Sequence, residues 1–113
     1  MFKEKIPEIV SLIRKECQPK RIILFGSQAR NMATPSSDLD IMVILEKVID
    51  RRREMVKIRR LLLPLGIKVD VLVVTDKTFT EWCETPGNVY FEASEDGVVL
   101  FDEKAAWTSQ KVS

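Results

Sequence analysis

The chain reads Asp38-Leu39-Asp40-Ile41-Met42-Val43-Ile44-Leu45 near its centre, so two aspartates stand at the head of an apolar run. A second run, Ile67-Lys68-Val69-Asp70-Val71-Leu72-Val73-Val74, contains a third aspartate. Both runs are rich in Val, Ile and Leu and have the length of strands, a setting that disfavours aspartate. A carboxylate buried without a partner is costly, so it is neutralised, paired or bound to a metal. The two runs therefore predict strands whose buried carboxylates need a common positive partner.

Strand geometry indicates what that partner is. Successive side chains of a strand alternate between faces, so Asp38 and Asp40 point the same way with Cα atoms ~7 Å apart. If the later strand lies beside the earlier one, Asp70 faces the same space. Carboxylate oxygens, in a chain that contains no histidine, suit Mg²⁺, which takes its remaining ligands from water and substrate phosphates. Two such ions would clamp the oxygens of a phosphoryl or nucleotidyl transfer.

Gly26 and Ser27 follow a short apolar stretch over 21–25 that predicts a buried strand. A glycine in this position lets a phosphate approach the backbone, and the next residue offers an N–H group and a hydroxyl. The pattern is not a P-loop, because the chain contains no GxxxxGK[ST] sequence. Gly26 and Ser27 thus predict phosphate binding only in combination with the aspartates.

The remaining pattern is that of an α+β domain. Apolar residues at helical spacing predict helices over 7–17 and 49–63, the second with a stripe of Met55, Ile58, Leu62 and Leu65. A further helix begins at Thr75 or Asp76 and runs to about Cys83, and a short one covers 89–95. Strands are predicted over 21–25, 38–45, 67–74 and 98–101. We expect one domain over 1–103 and a polar, flexible tail over 104–113.

Composition excludes several classes of protein. The chain has 113 residues, is 45% hydrophobic and 31% charged, and carries a formal net charge of +1, which gives no bias towards bulk nucleic-acid binding. No apolar stretch approaches the ~20 residues of a membrane span, and the charged N-terminus does not resemble a signal peptide, so a cytoplasmic location is expected. The absence of histidine excludes Ser-His-Asp catalysis and most zinc sites. Cys17 and Cys83 are expected to be free thiols.

Phe25-Gly26-Ser27, followed after ten residues by Asp38-Leu39-Asp40, resembles the G-S-x10-D-x-D signature of the minimal nucleotidyltransferases of the DNA polymerase β superfamily. Ala29-Arg30 and Ser37-Asp38 also match that pattern, and Asp70 is similar to the third carboxylate of the family. The resemblance covers nearly the whole chain. It implies the nucleotidyltransferase fold, in which a small mixed sheet carries the carboxylates and is backed by helices.

The resemblance also implies a role for each matching residue. Gly26 and Ser27 would hold the nucleotide triphosphate, with ATP the expected co-substrate. Asp38 and Asp40 would bind two Mg²⁺ ions, and Asp70 would bind one of them and help deprotonate the attacking hydroxyl. Arg30 contacts phosphate or is simply a solvated loop residue. The family often has glycine where this chain has Asn31, which tolerates the left-handed conformation.

Chain length points to the partner that this resemblance implies. A chain this short has no room for a separate substrate domain and is similar to the MNT half of HEPN–MNT toxin–antitoxin pairs, in which the antitoxin adenylylates a tyrosine of its HEPN partner. The alternatives are a non-catalytic module that neutralises a partner by binding, and a small-molecule nucleotidyltransferase of the aminoglycoside type. In the latter case a homo-oligomer or a partner chain would complete the acceptor pocket.

Simpler structural explanations exist for each residue taken alone. Ser27 could cap a helical turn, Asp38 could be a turn residue, and Asp70 could lie on a solvent-facing edge strand or pair with Lys68. The basic stretch over 51–60 is more typical of an exposed helix face than of a nucleic-acid patch, although it could face an acidic partner. The aromatic residues of the C-terminal half are interpreted as core or interface residues: Trp82, Tyr90 and Phe91.

Overall fold

The computed structural model describes residues 5–26 and 39–104, and this part of the chain forms four α-helices and a four-stranded sheet. The helices are α1 (Ile6–Cys17), α2 (Arg51–Leu62), α3 (Asp76–Trp82) and α4 (Val89–Asp96). The strands are β1 (Arg21–Phe25), β2 (Leu39–Leu45), β3 (Val69–Thr75) and β4 (Val98–Asp102). Each predicted helix and strand is present. The predicted tail lies almost entirely outside the described residues, as does Asp38, the first residue of the predicted second strand.

The sheet is mixed, as expected. Its strand order is β3-β2-β1-β4. β1 pairs antiparallel with both β2 and β4, whereas β2 and β3 are parallel and are connected through α2. A parallel pair needs such a crossover, because the chain must return to the same end of the sheet before the second strand begins. The architecture is therefore the α+β arrangement that the sequence predicted.

Each face of the sheet has its own hydrophobic core. On one face, Leu39, Ile41 and Val43 of β2 pack with Ile9 and Ile13 of α1 and with Ile58 and Leu62 of α2. On the other face, Met42 and Ile44 pack with Phe79 of α3 and Ala93 of α4. The alternation of side chains along β2 divides its apolar residues between the two cores. Asp40 belongs by this alternation to the face that α3 and α4 cover.

The helix boundaries have local causes. Pro7 lies in the first turn of α1, where its missing N–H is not needed. The Asp50 side chain caps α2 by accepting a hydrogen bond from the Arg53 N–H, so α2 begins two residues after the predicted start. Pro64 lies in a 3₁₀ turn over Leu63–Leu65, and Gly66 then reverses the chain with φ +71°. The α-helix consequently ends at Leu62 rather than at residue 63.

Two further features concern the cysteine thiols and the length of the apolar helices. Cys17 and Cys83 are both half-buried and free, as predicted. No helix within residues 5–26 and 39–104 is long and apolar enough to cross a membrane.

Candidate active site

Gly26 ends β1 and lies against the Asp40 carboxylate. Its φ of +78° is in the left-handed region, which favours glycine. A Cβ atom placed on Gly26 would overlap with the Asp40 Oδ2 atom, because Phe25 pairs with Asp40 across the antiparallel β1–β2 ladder. Two separate constraints, backbone conformation and space, thus exclude a side chain at this position. The Gly26 backbone forms one wall beside the Asp40 carboxylate.

Asp40 and Asp70 are partners in the parallel β2–β3 ladder. Neighbouring strands are about 4.8 Å apart, and partners in register point to the same face. The two carboxylates therefore stand side by side on the sheet face that α3 and α4 partly cover. The sequence predicted this adjacency only on the condition that β3 lies beside β2, and the structure confirms the condition.

The predicted burial of the aspartates is wrong for the two that the structure describes. Asp70 is exposed and Asp40 is half-buried, and no charged side chain within the described ranges is buried. Both residues lie near the start of their strands, whereas the apolar side chains that meet α3 and α4 come later, at Met42, Ile44 and Val74. The carboxylates thus line an open rim of the sheet and do not interrupt a core.

Asp70 has no ionic partner among the described residues. β3 is an edge strand, so the edge position considered as an alternative for Asp70 is correct, but no ion pair with Lys68 forms. Asp40, by contrast, has a further interaction within the fold. The Asp70 carboxylate is available to a ligand at this rim.

Three predicted site residues lie outside the described part of the chain: Ser27, Arg30 and Asp38. Within residues 5–26 and 39–104, no three Asp, Glu, Cys or His side chains come together as a metal site. Two carboxylates in register beside a glycine-lined wall nevertheless provide the oxygen ligands that Mg²⁺ prefers. The donor set that is described therefore fits a hard divalent cation and does not fit a soft one.

A polar cavity of about 310 Å³ adjoins Asp70 at the outer edge of β3. Its charged lining consists of Asp70, Lys68 and Arg59, and its apolar lining includes Leu62 and Leu63 at the end of α2. Nothing in the sequence predicts Arg59 at the site, because only the chain reversal at Gly66 brings the end of α2 beside the start of β3. A negatively charged group bound here would face two cations next to a carboxylate.

A family model described as a nucleotidyltransferase domain matches residues 3–100. A protein of Methanocaldococcus jannaschii, whose name marks it as a candidate protein adenylyltransferase, is 30% identical over 104 residues. That alignment covers 89% of this chain and all of the relative.

Two solved structures are also similar. One chain of a crystal structure of a toxin–antitoxin with AMP-PNP matches with a TM-score of 0.64 and 20% identity, over 95% of this chain and 85% of that one. A chain of the tri-AMPylated Shewanella oneidensis HEPN toxin in complex with MNT antitoxin matches with a TM-score of 0.59 and 18% identity, over 99% of this chain and 79% of that one. At these identities the likeness shows the fold alone.

Proposed function

This chain belongs to the nucleotidyltransferase domain family, and from that premise we propose that it transfers AMP from ATP, with Mg²⁺, to a hydroxyl of a partner protein. The observation that carries the proposal is the register pair of Asp40 and Asp70, with the Gly26 backbone against the Asp40 carboxylate. Two carboxylates at an open rim support a site that a triphosphate and an acceptor would both reach.

The reaction assigns a distinct part to each residue. The acceptor oxygen forms a bond to the α-phosphorus, the bond between that phosphorus and the α,β-bridging oxygen breaks, and pyrophosphate leaves. Asp70, exposed at the rim, takes the proton of the attacking hydroxyl. Gly26 and Ser27 hold the triphosphate through backbone N–H groups and the Ser27 hydroxyl. Arg30 contributes a positive charge to the phosphates.

Asp38, Asp40 and Asp70 would hold the magnesium ions. When bound, Mg²⁺ neutralises the charge of the triphosphate and polarises the phosphorus under attack. The role of Asp40 is to fix the position of the site relative to the β1 backbone, because Gly26 leaves room for that carboxylate and for no side chain of its own. Most of the rate enhancement would thus come from positioning and charge neutralisation.

The proposed acceptor is a tyrosine of a HEPN-type protein, which would give this chain the role of an antitoxin in the cytoplasm. Two similarities support it. The Methanocaldococcus relative is named for protein adenylylation, and a structural neighbour contains an AMPylated HEPN toxin with an MNT antitoxin. A protein acceptor also suits a rim at which Asp70 is exposed.

The proposal predicts that replacing Asp40 or Asp70 by Asn stops the transfer without unfolding the protein. The purified chain is incubated with Mg²⁺, each of the four α-³²P-labelled NTPs and a HEPN protein encoded beside its gene, and intact mass spectrometry counts the AMP added. We expect Asp40→Asn and Asp70→Asn to lower the rate by about a hundredfold or more. Asp70→Asn should change the free energy of unfolding by less than about 0.5 kcal/mol, as is usual for an exposed site.

Asp96→Asn is the matched control, because Asp96 is also exposed but lies at the end of α4. It should transfer AMP at the wild-type rate. Label that appears on the HEPN protein equally with the wild type and all three variants would overturn the assignment of the site. Neutralisation of the partner by Asp40→Asn at full strength would show that binding alone accounts for the biological effect.

A further inference from the structure

The outer surface of α2 concentrates positive charge. Six of the 18 basic residues of the chain lie within the twelve residues of α2, together with a single acidic residue, Glu54. Because the whole chain carries a formal net charge of only +1, the remainder of the molecule is net acidic. The basic residues are therefore clustered on one element and are not spread over the surface.

Most of the basic side chains of α2 form no ion pair with another described residue. Lys57 Nζ lies 3.4 Å from Glu54 Oε1, and the Asp50 carboxylate is occupied as the α2 cap. None of the five arginines of α2 forms an ion pair with another described residue, and all five are exposed. Five like charges on one helix repel each other and destabilise it, so a purely structural role does not explain them.

Apolar side chains lie among the arginines. A shallow open groove on α2 has Val56 and Leu61 in its lining, beside Arg52, Arg53 and Arg60. Val56 is 42% exposed, and Leu63, which directly follows the helix, is 69% exposed. We define the α2 face as Arg52, Arg53, Val56, Arg60 and Leu63. On a helical projection these residues share one side, opposite the buried Ile58 and Leu62.

The composition of the α2 face distinguishes protein from nucleic acid as its partner. Protein interfaces are enriched in arginine and poor in lysine, and they place apolar groups at the centre with charges around them. Proteins that bind single-stranded nucleic acids add aromatic side chains on which the bases stack. The α2 face has three arginines and two aliphatic residues and no aromatic residue, and the one lysine in the groove beside it, Lys57, is paired with Glu54.

The α2 face also leads to the candidate active site. Arg59 and Leu63, at the end of α2, line the cavity that contains Asp70. A protein lying along α2, which is about 18 Å long, would therefore have its far end at the outer edge of β3, beside Asp70. The α2 face and the cavity beside Asp70 thus meet at the outer edge of β3, where Leu63 belongs to both.

We propose that the α2 face is the docking surface for the acceptor protein, which it recognises by an acidic surface with an apolar centre. This inference rests on the proposed function for the identity of the partner, whereas its test measures binding without nucleotide. The acidic groups pair with Arg52, Arg53 and Arg60 around an apolar contact at Val56. Docking there would bring a hydroxyl of the bound protein to Asp70.

The test uses three fluorescent probes: an acidic peptide with leucine at helical spacing, a scrambled peptide of the same composition, and a single-stranded RNA of equal charge. Binding is measured by anisotropy at physiological salt. We expect the patterned peptide to bind about tenfold more tightly than either other probe, a difference of about 1.4 kcal/mol. Equal binding of the scrambled peptide, or tighter binding of the RNA, would overturn the proposal.

Variants test which surface is responsible. The triple variant Arg52→Glu, Arg53→Glu, Arg60→Glu should weaken binding of the patterned peptide by at least about tenfold, and the corresponding Gln variant, which introduces no repulsion, by about threefold or more. Val56→Ser should weaken it by about threefold, an effect that a purely electrostatic attraction would not show. Full retention of affinity by either the Gln variant or Val56→Ser contradicts the proposal.

The matched control reverses three exposed lysines on other elements: Lys15→Glu, Lys47→Glu, Lys77→Glu. It changes the net charge by the same amount and should change the affinity by less than about twofold. An equal loss in the control would mean that net charge, and not the α2 face, attracts the peptide. No probe requires ATP. A failure to transfer AMP would therefore contradict the proposed function without affecting the binding result.

Discussion

At the scale of single residues, the candidate site depends most directly on the contact between Gly26 and Asp40. The two residues come from different strands, and the space that Gly26 leaves empty is filled by the Asp40 carboxylate. A glycine after a buried strand is usually explained by its backbone freedom alone. Here the side chain opposite it supplies a second reason, and that reason is tied directly to the proposed chemistry.

Gly26→Ala and Gly66→Ala separate these two reasons. Both glycines have similar positive φ values, +78° and +71°, but a Cβ on Gly66 would meet nothing within 4 Å. Each substitution should lower the free energy of unfolding by about 1–2 kcal/mol because of the left-handed backbone. Only Gly26→Ala should also lower AMP transfer, by about a hundredfold, since it displaces Asp40. Urea denaturation and single-turnover kinetics measure the two effects, and equal activity of the two variants would contradict the role of the contact.

The aspartates show how far single residues can be interpreted from sequence. Asp40 and Asp70 could be selected because each stands in an apolar run, where a carboxylate needs an explanation. Their burial was predicted wrongly, because the sequence does not show where along β2 and β3 the covering helices end. No sequence pattern predicts Arg59 as a site residue, since its proximity to Asp70 depends on tertiary structure. The sequence thus predicts which types of side chain form the site, but it does not predict how deeply they are buried or which residues surround them.

At the scale of elements, the connection between α3 and α4 depends on one side chain. Asn88 caps α4 by accepting a hydrogen bond from the Phe91 N–H at 2.9 Å. Its amide nitrogen donates to the carbonyl oxygens of Trp82 and Thr85, at 3.2 and 2.7 Å. A single amide thus begins one helix and holds the end of the preceding one, and these two helices cover the face that carries Asp40.

Asn88→Ser and Asn88→Asp test this double role. Serine and aspartate cap helices about as well as asparagine, so both variants should keep the cap of α4. Neither replaces both amide donors, but the aspartate also places a negative charge against two carbonyl oxygens. We expect Asn88→Asp to be less stable than Asn88→Ser by about 1 kcal/mol in urea denaturation at neutral pH. Equal stabilities of the wild type and both variants would mean that the two bonds from the amide contribute nothing.

The elements themselves were largely predictable, and the exceptions have local causes. β1 has the predicted bounds because the continuous apolar run over 22–25 follows Arg21 and stops at Gly26. The helix before Pro64 ends one residue earlier than predicted and the strand after it begins two residues later, because the proline lies in a 3₁₀ turn that the periodicity of the apolar residues does not reveal. The register that pairs Asp40 with Asp70 could not be derived from the residues, since it depends on the length of the path through α2.

At the scale of the whole molecule, the two ends of the sheet have different tasks. The carboxylates and Gly26 lie where β1 ends and β2 begins. At the opposite end, Lys20, which precedes β1, links this strand to β2 and β4. Its Nζ atom lies 2.9 Å from Glu46, which follows β2, and 3.0 Å from Glu103, which follows β4. The open end holds the proposed chemistry, and the ion-paired end holds the strands together.

The acid dependence of stability should come in part from the Lys20 ion pairs. The hydrogen bond from Lys20 lowers the pKa of Glu46 below its ordinary value of 4.5, and the same contacts raise the pKa of Lys20 well above 10.5. A lowered carboxyl pKa stabilises the fold at neutral pH, and this contribution is lost as the pH falls below 4.5 and through the folded-state value. The raised pKa of Lys20 affects only strongly alkaline solutions, since its contribution is complete below pH 10.5.

Lys20→Met removes both ion pairs and therefore isolates their effect. We expect the variant to be less stable than the wild type between about pH 6 and pH 9, and the difference to shrink as the pH falls to about 3. Urea denaturation at each pH measures the difference, with Lys77→Met as the control because exposed Lys77 forms no ion pair within the described residues. The rate of AMP transfer by folded Lys20→Met should equal that of the wild type, since Lys20 lies at the other end of β1 from Gly26. A pH-independent stability difference would show that Lys20 acts through packing of its methylene groups, and a loss of activity would contradict the separation of the two ends.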